Sequence, residues 1–246
     1  MKSSTRMARG ERVLLIVAAV ASILYFISAF SPQPEGPDVE AATSAQVRAY
    51  YEDNAASFQG NATMNSLAMA AVLVFTVCLA RLIRRREPGS PLADIVVGGG
   101  VMIAAWQWLD MAINSMTVVQ SLDGTKISDV SDSSLVTWYA MTNASHLWGD
   151  LAMVPIALVM GSASLAAIQM KLLPRWLGWA GLSCAVLGSL GLLSITAGAK
   201  TASNLWFFGI FGWFLFVPAV GVTLALRLRN GRAAEFASAE VAATGA

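Results

Sequence analysis

One histidine, two cysteines and little charge limit what this sequence can do. Haem held by two histidines needs a second imidazole and is excluded. Zinc sites draw on closely spaced Cys and His ligands, and neither CxxC nor HExxH occurs. Cys78 and Cys184 each lie inside an apolar run, where a thiol reads as a small buried hydrophobe rather than half of a disulfide. The residues therefore point to no metal and no cofactor. The net charge of +1 offers no basic field to nucleic acid. Only 13% of residues are charged, about half the share of an ordinary soluble domain, which argues against a soluble fold.

What is abundant is apolar sequence: 56% of residues are hydrophobic and the mean hydropathy is +0.61. Runs of about 18 or more apolar residues suffice to cross a bilayer. Six spans can be drawn, at 13–29, 62–83, 92–119, 136–168, 176–197 and 205–226. Of the sixteen Lys and Arg residues, all but Arg48, Lys126 and Lys200 fall on one side of this arrangement. That positive-inside pattern places both termini in the cytoplasm and holds only for an even number of spans. The expectation is an all-α, polytopic bundle of six transmembrane helices in a bacterial cytoplasmic membrane, with the bilayer as its first partner. The basic start and the small residues of "SAFS" resemble a signal peptide, but no A-x-A site follows, so the first span reads as an uncleaved helix.

Outside the spans, "SPQPEGPD" is a turn region. The stretch 39–58 after it predicts an amphipathic helix on the membrane surface, with Val39, Ala42, Val47, Tyr50 and Tyr51 towards lipid, or else a solvated loop with some helix. The tail, 227–246, reads as cytoplasmic and disordered. Gly181, Cys184, Gly188 and Gly191 share one face of the fifth span, and Gly98 to Gly100 open the third; such small residues let helices approach closely in lipid. Trp176 and Trp179 read as an inner interfacial belt, Trp138 and Tyr139 as an outer one.

The apolar background makes two polar stripes conspicuous. In the third span Gln107, Asp110 and Asn114 are three and four residues apart. In the fourth, Asn143, His146 and Asp150 have the same spacing. Each stripe occupies one helix face, and exposure to hydrocarbon costs about 2.5–3.5 kcal/mol per charged group. Both should face the bundle interior. With a helical rise of ~1.5 Å, Asp110 falls roughly 8–9 Å below the outer surface. For a fourth span starting near residue 140, His146 falls roughly 9 Å and Asp150 roughly 15 Å down. The stripes would meet in one layer of the outer half, walled by Trp106, Trp108 and Trp148.

A simple structural tie, His146 to Asp110 or Asp150, accounts for part of this layer. The remaining polar groups exceed what one tie requires. They suit a proton relay or a pH-sensitive gate, since a carboxylate favours protonated imidazole near neutral pH. The leading reading is binding or transport of a small polar ligand, a cation or a proton through an outward-facing polar pocket of Gln107, Asp110, Asn114, Asn143, His146 and Asp150. The alternative is a non-catalytic scaffold or accessory subunit, docking a membrane-protein partner or a second copy. An intramembrane enzyme ranks last, because no catalytic constellation is present.

Several segments taken in order carry a family resemblance: "VRAYYEDNAASF" leading into the second span, the arginine hairpin, "LADIVVGGG", and "LPRWLGW" between the fourth and fifth spans. From about residue 40 to 226 the chain resembles a group of uncharacterised six-helix bacterial membrane proteins of actinobacterial type. The resemblance implies a six-helix inner-membrane protein and brings no activity and no site residues. "SHLWGD" and "WQWLD" are not among its features.

Overall fold

The computed structural model describes residues 9–29, 34–122, 126–196 and 204–244. Side chains are described for these except 9, 110–122, 143–150, 194–196 and 231–244. The described residues form helices joined by short turns, with no strand. In chain order they are α1 (Arg9–Ala29), α2 (Ser44–Asp53), α3 (Ala55–Arg86), α4 (Pro91–Leu122), a 3-10 turn (Ile127–Asp129), α5 (Asp132–Leu151), α6 (Met153–Met170), α7 (Arg175–Thr196) and α8 (Leu205–Thr244). Six of them are long and apolar enough to cross a membrane: α1, α3, α4, α6, α7 and α8. This is the construction of a multi-pass membrane protein.

Local sequence explains where these helices start and stop. Thr43 caps α2 in a reciprocal pair with Gln46. Pro91 opens α4, where its missing N–H costs nothing. Lys171 ends α6 in the left-handed region, at φ 53°, and Pro174 precedes α7.

The stretch read as one fourth span, 136–168, is two helices separated at Ala152. Pro155 supplies the reason. It cannot donate to the carbonyl of Leu151, and its ring crowds that carbonyl. The crossing helix is α6, about 27 Å long at 1.5 Å per residue, and it begins at Met153. Residues 143–150 belong to α5 instead. The depths expected for His146 and Asp150 assumed an unbroken span and do not carry over.

The crossing helices close into a ring. α1 lies between α3 and α8, and the circuit continues α3–α4–α6–α7–α8. α6 also touches α3 and α8, so it leans into the middle. The ring is tight where small residues meet. A Cβ on Gly188 of α7 would stand 2.7 Å from the Cα of Gly209 on α8. One on Gly99 of α4 would meet the carbonyl of Pro155 at 3.1 Å. Backbones approach this closely only where side chains are absent, the usual source of adhesion between helices in lipid. The outward surface is apolar: Ile16, Val20 and Ile27 of α1, and Phe207, Phe211 and Leu215 of α8, are exposed. Water would not tolerate such a belt, and acyl chains do.

At the end away from the arginines, α2 packs on α5. Val47 and Tyr51 of α2 are buried with Leu135 and Tyr139 of α5. The apolar face of α2, expected on the membrane, is thus covered by protein. Tyr139, expected in an interfacial belt, is buried there and donates its hydroxyl to the carbonyl of Pro37. Arg48 fastens this cap. Its guanidinium donates to the carbonyls of Ile127 and Val130 and to the carboxylate of Asp132, the last two at 2.8 and 2.6 Å. At the opposite end, Trp176 and Trp179 are exposed beside Arg175, as an interfacial belt requires. The tail expected to be disordered continues α8 to Thr244; its run of Ala and Glu favours helix.

Candidate functional site

The described half of α4 shows which of its faces looks inward. Ala93, Val96, Gly100 and Ile103 are buried at spacings of three, four and three. The next position in that seam is Gln107, where the side chains change from apolar to polar. The Gln107 side chain hydrogen-bonds with the hydroxyl of Tyr25 on α1. Its amide oxygen is buried with no hydrogen-bond partner among the described residues.

Tyr25 is 2% exposed, in the last two turns of a largely apolar helix. Its hydroxyl accepts from the indole N–H of Trp213 on α8 at 2.7 Å. The two rings meet edge to face, with centroids 5.9 Å apart, and the Phe214 ring stacks with Tyr25 at 6.4 Å. Three helices, α1, α4 and α8, therefore contribute to one polar knot. Because the Gln107 amide oxygen has no partner, the bond to Tyr25 comes from the amide NH2, which donates to the hydroxyl oxygen alongside the Trp213 indole. The amide oxygen is the end left without a partner among the described residues.

Three further buried groups have no partner among the described residues: the indole N–H of Trp206 on α8, that of Trp138, which packs in the α2–α5 cap, and the hydroxyl of Ser164 on α6. Trp206 is two turns before Trp213, so it occupies nearly the same face about 10 Å nearer the cap. Orphaned buried donors are rare in folded proteins, because each forfeits its hydration without compensation. Gln107 and Trp206, on α4 and α8, together mark hydrogen-bonding capacity that the described residues do not meet.

Of the expected site residues, the structure brings Gln107 to the interior. Asp110 and Asn114 belong to α4, and Asn143, His146, Trp148 and Asp150 to α5. The side chains of these six lie outside the described residues. Trp106 is half-buried. Trp108 is a correction: it is 51% exposed and faces outward rather than walling an interior site. Successive helical residues point about 100° apart, so a face centred on Gln107 cannot also take both neighbours.

Tyr25 and Trp213 were missed by reading the sequence. The available signals were a lone tyrosine within an apolar run, and a tryptophan well inside a span rather than at its edge. Among the described residues no three Asp, Glu, His or Cys side chains gather as a metal would need. No protein-family model matches the chain, and neither a curated protein nor a solved structure matches it.

Proposed function

We propose that this protein sits in a bacterial cytoplasmic membrane with both termini in the cytoplasm, and binds or passes a small polar ligand, a cation or a proton. Its place would be among the six-helix bacterial proteins it resembles. The observation that supports the reading is the α4 seam, which turns polar at Gln107 and leaves that amide's oxygen buried with no hydrogen-bond partner among the described residues. Continued in sequence, the same spacing reaches Asp110 and then Asn114. A buried amide with unmet capacity, followed along one seam by a carboxylate and a second amide, is suited to replacing part of a polar solute's hydration. Asp110 is the group to hold a cation or proton, and His146 the group to make the site sensitive to pH near neutrality.

The test begins with a chain in which Cys78 and Cys184 are replaced by alanine and Gln107 by cysteine. A membrane-impermeant thiol reagent added from the outer face should label it. Purified protein in vesicles should then conduct protons or monovalent cations, and Asp110→Asn and His146→Ala should abolish that flux while leaving the melting temperature in place. Labelling restricted to the arginine side, or vesicles as tight with the protein as without it, would remove the basis for this function.

A further inference from the structure

The arginine end of the ring holds a second polar site, independent of the interior one. α3 finishes with Arg84, Arg85 and Arg86 in its last turn. Arg84 is committed to an ion pair with Asp94 across the α3–α4 hairpin. Arg85 turns the other way. Its guanidinium lies against Gly10, in the first turn of α1, 3.0 Å from where a Cβ would stand. Arg227 of α8 is half-buried and donates to the carbonyl of Leu172 at 3.2 Å. The charges near enough to act on it are those of Arg86 and Glu11.

Two helices thus bring three guanidiniums to the first described turn of α1: Arg85 against Gly10, and Arg86 and Arg227 near enough to feel each other's charge. The Glu11 carboxylate of that turn acts on Arg227 with the opposite sign. Like charges crowded beside a half-buried arginine repel unless an anion lies between them. Planar guanidinium forks match the oxygens of phosphate in particular. The level is also informative. Gly10 lies in the first described turn of α1, Arg86 ends α3, and Arg227 follows Leu226 in α8. Exposed Trp176 and Trp179 mark the same end as an interfacial zone. That is the height at which lipid phosphates lie.

We propose that the first described turn of α1, the carboxyl end of α3 and Arg227 of α8 form a binding site for a phosphate-bearing anion, filled in the membrane by the headgroup of an anionic phospholipid. Arg85 and Arg86 grip the phosphate oxygens from the solvent side, and Arg227, fixed by Leu172, closes the site from below. Glu11 keeps the cluster from binding chloride-like anions indiscriminately, because it admits only a ligand with enough negative charge and with acceptor oxygens placed for the guanidinium forks to outcompete it. The preference is therefore for an acidic lipid over a zwitterionic one.

The experiment uses the full chain in detergent, titrated with phosphatidylglycerol or phosphatidylcholine, with bound lipid counted by native mass spectrometry. Wild type should retain phosphatidylglycerol selectively. At about 1 kcal/mol per basic residue near a lipid phosphate, the Arg85→Gln, Arg86→Gln double variant should bind about thirtyfold more weakly. Both side chains are exposed, so its melting temperature should hold. The Arg85→Lys, Arg86→Lys variant should stay within about fivefold of wild type. Arg84→Gln, which removes the same kind of charge one residue away, should do likewise. A parallel titration with inorganic phosphate separates the sources: binding of phosphate with the same variant dependence, but no retained lipid, supports the anion site with free phosphate as its occupant. No selectivity for the acidic lipid together with no phosphate binding overturns the proposal. So does an Arg84→Gln loss as large as that of the double variant, since the effect would then be charge without place.

Discussion

The indole N–H of Trp213 reaches the hydroxyl of Tyr25 at 2.7 Å, joining α8 to α1 across 188 positions of sequence. Both groups are buried, so neither has water to fall back on. Tyr25→Phe keeps the ring and its stacking but orphans the indole and takes away the partner of Gln107. The expected loss is about 1–2 kcal/mol, between the cost of an orphaned buried donor and the smaller values typical of hydrogen bonds in lipid. Thermal unfolding in detergent measures it. An unchanged melting temperature would mean that the bond carries no weight.

The contact of Gly188 with Gly209 leaves no room for a side chain. Gly188→Val should drive α7 and α8 apart and lose the monodisperse species on size exclusion, because overpacking at a closed crossing cannot relax cheaply. Gly98 is the matched control. Nothing stands within 4 Å of a Cβ built there, so Gly98→Ala should be neutral or gain up to about 1 kcal/mol from helix propensity. Equal damage from both substitutions would refute the close-approach account.

Arg48 holds the cap through three acceptors on two segments. Lysine has the charge without the planar fork, so Arg48→Lys should rescue little of what Arg48→Ala loses. Hydrogen exchange should rise in both variants over α2 and the 3-10 turn Ile127–Asp129, while α6 and α7 stay protected. Exchange confined to wild-type levels in the cap would show that the aromatic cluster alone suffices.

Cap docking should weaken at both extremes of pH. Asp132 is held below the usual carboxylate range, first by the hydrogen bond from Arg48 and then by that from Ser44. A depressed folded value means its contribution is complete above the ordinary carboxylate range and fades as pH falls through the folded value. Tyr51 shifts the other way. Burial pushes its hydroxyl up to about 12, and burial raises Tyr50 as well. Their contribution is complete below the ordinary tyrosine value of 10.0 and is lost as pH rises through the folded value, near 12 for Tyr51. Hydrogen exchange at low pH and tyrosinate absorbance at high pH follow the two arms. Release of the cap near neutral pH would contradict both.

Much of this architecture was legible in the sequence because lipid imposes a strong pattern: six apolar runs with basic residues at one set of ends. The Pro155 break was legible in kind, since a long fourth run with a proline inside had to bend or protrude. Its consequence for His146 and Asp150 was not, because hydropathy does not say on which side of the bend the membrane starts. The apolar face of α2 was visible, but a lipid surface and a facing helix such as α5 ask for the same residues. Trp108 adjoins Gln107 in sequence but not on the helix face, because adjacent helical positions diverge. The Tyr25–Trp213 bond depends on ring closure by the first and last helices, a relationship that no local window contains.

That closure has a consequence for synthesis. Of the six membrane-length helices described, α1 is made before the others and α8 after them, so Tyr25 waits through α3, α4, α6 and α7 before its partner exists. Until then one flank of α1 meets lipid or a chaperone instead of protein. A message truncated before α8 would yield a product with that flank still bare, giving a quality-control protease a ready mark by which to tell unfinished chains from finished ones.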